Sequence, residues 1–186
     1  MISEPMTLAT DYLLGGVSAW LGWRLRERNR LWGLGLLALA LAAFLGGTWH
    51  GLVQNDVLWK ATTLAAGAAS FGMVAGSAVA TTVGTARTLL LGFAALKLAV
   101  YSAWMLTHDD FIWVVADTGL SLALIGVLHL WRFNGWMLAG VAVSVAAGAV
   151  QASGFALHRH FNHNDLYHVI QIAALLLFYR GLSVKR

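Results

Sequence analysis

The sequence predicts an all-α polytopic membrane protein, a seven-transmembrane-helix bundle with its N-terminus outside and its C-terminus inside. Three observations lead there. Mean hydropathy is +0.71. Only 11% of the 186 residues are charged, against about 25% in a soluble domain. Polar residues cluster between apolar runs of about 20 residues, the length that crosses a hydrocarbon core of ~30 Å.

The spans follow in order at 8–26, 31–53, 57–82, 85–107, 111–131, 134–157 and 165–183. The first begins in "MISEPMTLATDYLL", which lacks the basic n-region of a cleaved signal peptide. The second runs from the "RLRERNR" cluster to "HGLVQND". The third is rich in Gly, Ala and Ser and carries G-x-x-x-G at Gly72 and Gly76. Such a helix packs closely on its neighbours. The fourth lies between "GTART" and "THDD" and holds Lys97; the fifth holds Asp117. The sixth starts after "FNG" and ends before "HRHFN"; the seventh opens on "HNDLYHVIQ". Seven spans use about 140 positions. The whole of 1–186 is therefore one transmembrane domain with short loops.

Charge fixes the expected orientation. With the N-terminus outside, Arg24, Arg26, Arg28, Arg30, Arg87, Arg132, Arg180, Lys185 and Arg186 fall inside, and only Lys60 and Arg159 fall outside. This is the positive-inside bias, and tryptophans near both interfaces agree with it. The basic balance (net charge +4) then reflects topology, and no basic-aromatic groove speaks for nucleic acid. Compact loops lean towards a bacterial inner membrane. Oligomeric state is not legible.

In this orientation the ionisable groups collect on the outer side. Glu4 and Asp11 open span 1, and His50 and Asp56 flank the turn between spans 2 and 3. His108, Asp109 and Asp110 follow span 4, and His158, His160, His163, Asp165 and His168 lead into span 7. Most of these read as solvated loop polarity. Asp11, His50 and His168 sit inside apolar spans, where an ionisable group is costly and faces the bundle interior. Asp165 and His168 are i, i+3 and Asn164 and His168 i, i+4, so they neighbour one another on a helix. His163 converges with His168 only if the helix begins near Asn164, with Asn162 or Asn164 as its N-cap.

There are no cysteines, so a transition metal would need imidazoles and carboxylates, a set that suits zinc. A network of buried hydrogen bonds pinning helices 1, 2 and 7 explains the same residues. So does a heme held between His50 and His168. Lys97 and Asp117 read as a buried ion pair that fixes packing; a substrate headgroup on Lys97 is the alternative.

The elements "GGTWHGLVQNDVLWK" and "HNDLYHVIQ" resemble the seven-transmembrane hydrolase superfamily of alkaline ceramidases, progestin and adipoQ receptors and Per1-like proteins. "SEPMTLATDYLL" is similar to the acidic N-terminal stretch of the ceramidase branch. The resemblance implies a zinc site of His50, His168 and His163, with Asp56 acting on the bound water. Asp11 and Asp165 would support the site, and calcium could sit near Glu4 and Asp11. It also implies hydrolysis of an amide or ester in a membrane lipid or lipid-like substrate. Three positions depart from the pattern. Asn164 replaces the first histidine of the span 7 pair, Gly46 replaces a serine one turn before His50, and the His50–Asp56 gap is short. Two other function classes remain open: a non-catalytic receptor or binding protein on the same scaffold, and a proton or solute pathway through Asp11, Lys97, Asp117 and the histidines.

Overall fold

A computed structural model of the chain describes residues 3–183. Seven helices follow one another: α1 (Pro5–Leu25), α2 (Arg30–Gly51), α3 (Asp56–Thr81), α4 (Gly84–Met105), α5 (Ile112–Trp131), α6 (Gly135–Ser153) and α7 (His163–Ser183). No strand occurs among the described residues. Lys185 and Arg186, counted above with the inner charges, lie outside them.

Six of the helices, α2 to α7, are long and apolar enough to cross a membrane, as an integral membrane protein requires. The exception is α1. Its 21 residues are sufficient in length, but Thr7, Thr10, Asp11 and Ser18 line its buried face. Polar groups on an inward face lower a helix's hydropathy without exposing it to lipid.

Local chemistry explains where the helices begin. Asn29, Asn55 and Asn134 each accept a hydrogen bond from the backbone N–H three residues on, which caps α2, α3 and α6. The α6 helix stops at Gly154, whose φ of 67° is the left-handed cap that glycine adopts without strain.

The helices α1, α2 and α3 pack side by side, α7 closes on α1, and α6 lies along α7. Both α4 and α5 lean on α3 and scarcely touch each other. The α2–α3 crossing is tight because glycines face each other. A Cβ on Gly72 would lie 2.5 Å from the Cα of Gly35. This bears out the close packing expected of the G-x-x-x-G helix. The main core, which includes Leu21, Leu25, Trp32, Leu36, Val74 and Phe178, lies between α1, α2, α3 and α7.

The alternating helices leave two polar ends. One carries the turns after α1, α3 and α5, with Arg26, Arg28 and Arg132; the other carries the turns after α2, α4 and α6, with His108, His158 and His160. They are called the arginine end and the histidine end below.

Candidate functional site

The α7 helix begins with a reciprocal cap. The Asn162 side chain accepts from the backbone N–H of Asn164 at 2.8 Å and of Asp165 at 3.3 Å. Asp165 Oδ2 accepts in return from Asn162 N at 2.8 Å. This is a capping box built with an aspartate. It sets the start of α7 and hence the depth of His168 one turn further on.

His168 is buried, at 8% exposure, and both its ring nitrogens face α1. Nε2 lies 3.2 Å from Asp11 Oδ1. Nδ1 lies 3.0 Å from Thr10 Oγ1. That hydroxyl also reaches the carbonyls of Met6 at 3.0 Å and Thr7 at 3.2 Å. Asp165 Oδ1 stands 3.5 Å from the same oxygen. A carboxylate, an imidazole and a hydroxyl are thus lined up across the α1–α7 seam. Thr10 has one proton to give. If it goes to a backbone carbonyl, His168 donates from Nδ1; if it goes to His168, the imidazole donates from Nε2 to Asp11. The arrangement can hold a proton on either side of the imidazole.

A second pair lies beside the first. His50, at the end of α2, has Glu4 Oε2 3.2 Å from its Nδ1. The nitrogen is sealed from solvent yet makes no aligned hydrogen bond. Ser3 Oγ donates to the His50 carbonyl, which draws the N-terminal segment over α2. The two pairs are linked through α2, whose Gly46 and Gly47 lie one turn before His50 and face Asp11. Small residues make the room: a Cβ on Gly46 would lie 4.0 Å from Asp11 Oδ2, and one on Gly47 would meet the Asp11 side chain at 2.8 Å. Tyr12 meets Thr48 at 2.9 Å and adds a further α1–α2 contact.

Of the residues singled out in the sequence, Asp11, His50, Asp165 and His168 therefore meet at the histidine end. Asp56 is exposed at the first turn of α3, and His163 is half-buried at the start of α7. No hydrogen bond or ion pair joins either of them to the cluster among the described residues. Asn164 faces away from it, towards Gln151 of α6 at 3.2 Å. Thr10 and the Glu4–His50 contact were not foreseen. Thr7, Thr10 and Asp11 form a short polar stripe on an otherwise apolar helix, and that stripe is the signal for the first.

Two imidazoles and two carboxylates are the nitrogen and oxygen donors that zinc takes. The donor types fit. They stand as two pairs: among the described residues no three His, Asp or Glu side chains are gathered as a metal site.

Elsewhere, Lys97 of α4 and Asp117 of α5 form the expected buried ion pair. Tyr101, one turn from Lys97, donates to the Thr63 carbonyl of α3 at 2.9 Å. At the arginine end Trp32 Nε1 donates to Ser77 Oγ at 3.0 Å, and His129 Nε2 lies 3.3 Å from the same oxygen. His108, Asp109, Asp110, His158 and His160 are at the surface or near it. Asp109 pairs with Lys60, which also caps the α4 carbonyls of Met105 and the following His108.

The model of the Family of unknown function (DUF6962) matches residues 6–186, and the chain belongs to that family. No curated protein and no solved structure matches it.

Proposed function

We propose that the protein is a membrane-embedded hydrolase whose reaction centre is the polar cluster of α1, α2 and α7, acting on an amide or ester bond of a lipid-like substrate. The observation that carries this reading is the Asp11–His168 pair, buried across the α1–α7 seam, with the His50–Glu4 pair beside it at the helix ends. Ionisable groups are kept inside a membrane at a cost, and a reaction centre is a reason to keep them.

His168 is the acid–base group. Asp11 fixes one nitrogen and takes or returns a proton there, while Thr10 fixes the other and sets the tautomer. Asp11 takes the carboxylate role that the resemblance implies for Asp56. With zinc bound, His168 would instead be a ligand together with His50 and Asp11, and the metal would supply a Lewis acid and an activated water. Glu4 lies where it would orient His50. With the histidine end outside, water reaches the site from that side and the substrate enters from the bilayer.

A second reading is favoured by a specific observation. Both nitrogens of His168 already have partners, and the four groups stand as two closed pairs. On this reading the cluster is a polar clamp that joins α1, α2 and α7 in a receptor or binding protein. Metal analysis of protein purified without chelator, alongside turnover of fluorescent amide and ester lipids, separates the two. The hydrolase reading expects close to one zinc per chain and cleavage, both lost in His168→Ala and His50→Ala. Zinc-free protein that gains neither metal nor activity when zinc is added sinks it. Folded protein with metal retained in both variants sinks the ligand choice.

A further inference from the structure

At the arginine end, far from the histidine cluster, α6 and α7 leave an open groove of about 710 Å³. It is lined by Trp136 of α6 and Ala173, Leu176, Leu177 and Tyr179 of α7, a shallow and largely open apolar depression. Arg180 and Ser183 close its polar end.

Arg180, like Arg24, is satisfied differently from three other arginines of this end. Arg87 donates three times to the carbonyls of Val79 and Thr82. Arg132 donates to the Thr81 carbonyl at 2.9 Å, and Arg28 to the Ser183 carbonyl at 2.9 Å. Those three arginines cap helix ends. Arg180 lies flat over the Trp136 indole, 4.1 Å from the ring centroid. Among the described residues, no carboxylate or carbonyl pairs with it. Its five N–H donors are thus presented at the rim of an apolar depression, without an anion.

The surroundings reinforce the sign of the charge. Tyr179 of the groove stacks on Trp20 of α1, and Arg24 sits 5.2 Å over that Trp20 ring. Arg28 reaches the rim through Ser183. The one acidic residue of this end among the described residues is Glu27, which is exposed and lies 3.9 Å from Arg26. Cations and interfacial aromatics at the rim of an open apolar surface match one class of molecule.

We infer that the α6–α7 groove binds an anionic phospholipid of the surrounding bilayer. Its phosphate lies against the Arg180 guanidinium and one acyl chain lies along Ala173, Leu176 and Leu177. Guanidinium and phosphate pair through two parallel N–H donors, which a zwitterionic headgroup offsets with its own cation. This is a bound lipid at the opposite end from the reaction centre, and it does not depend on whether that centre is catalytic.

The test is native mass spectrometry of the full chain in detergent, titrated with dioleoyl phosphatidylglycerol or dioleoyl phosphatidylcholine. The wild type is expected to retain the anionic lipid preferentially. Arg180→Gln should lower that preference about fivefold, the change expected for one surface arginine. Arg180→Lys should keep part of it, and Arg30→Gln, a charge lost at the same end but outside the groove, should keep nearly all. Equal retention of both lipids by the wild type overturns the inference whether or not any variant folds. So does an Arg30→Gln loss as large as that of Arg180→Gln, which would mean a diffuse charge effect. Displacement of the lipid by glycerol phosphate at equal concentration would mean a free-anion site and also overturns it.

Discussion

The protein has two buried acid–base pairs, and they stand in differently packed seams. Lys97 and Asp117 join α4 to α5, helices that meet through little besides Tyr101, Met105 and Val114. Asp11 and His168 join α1 to α7, whose seam already has Leu14, Leu21, Leu25, Ala174, Leu175 and Phe178 in the main core. The first pair stands where apolar packing is thin, so its polar atoms supply the cohesion. The second stands where packing is ample, so its polar atoms are not needed to hold the helices together. That contrast argues for a structural role in one pair and a chemical role in the other.

The largest expected effect breaks the structural pair. Lys97→Met leaves the Asp117 carboxylate buried without its cation and should destabilise the fold by about 3–5 kcal/mol. Unfolding in mixed micelles measures it, and Lys97→Met with Asp117→Leu should recover most of the loss, since both charges are then gone. If the single variant is as stable as wild type, the pair is not structural and a substrate role for Lys97 gains ground.

Asp11→Asn and His168→Gln should cost less in the same assay, about 1–2 kcal/mol each, because hydrogen bonds between membrane helices are modest and the apolar seam remains. On the hydrolase reading, either variant should also abolish turnover. A stability loss equal to that of Lys97→Met would erase the contrast and favour the clamp. Thr10→Val removes the hydroxyl from His168 Nδ1 at nearly constant volume. Its stability cost should be about 1 kcal/mol, with a shift in the pH profile of turnover that Thr10→Ser does not produce.

The smallest effect sharpens the comparison. Asp56 is exposed on the first turn of α3, so Asp56→Asn should change stability by less than about 0.5 kcal/mol. It should also leave turnover within a fewfold of wild type. A large loss of activity would return the catalytic carboxylate from Asp11 to Asp56.

How much of this the sequence carried depended on distance along the chain. The seven helices were legible because each apolar run has its own length and its own punctuation, such as the four asparagines Asn29, Asn55, Asn134 and Asn162 at helix starts. Orientation rested on charge bias and was not read from any contact. Lys97 with Asp117 was legible because two buried opposite charges on successive helices have few other places to go. The partner of His168 was harder. It sits 157 residues away on α1, and spacing rules relate only positions within one helix. They placed Asn164 and Asp165 beside His168, while His163 came from the resemblance and Asp11 only from its depth in span 1. Asp56 was placed beside His50 by the shortness of the turn, but its side chain leaves that turn towards solvent.

The α3 helix has 26 residues and α6 has 19, about 39 Å and 28 Å at the usual rise. Only the shorter of these matches a hydrocarbon core of ~30 Å standing upright. In a thin bilayer α3 must lean further or protrude, and in a thick one it can straighten. Both α4 and α5 rest on α3 and hardly on each other, so the lean of that one helix is passed to both. A change of bilayer thickness would therefore be felt at the thinly packed α4–α5 seam that Lys97 and Asp117 bridge.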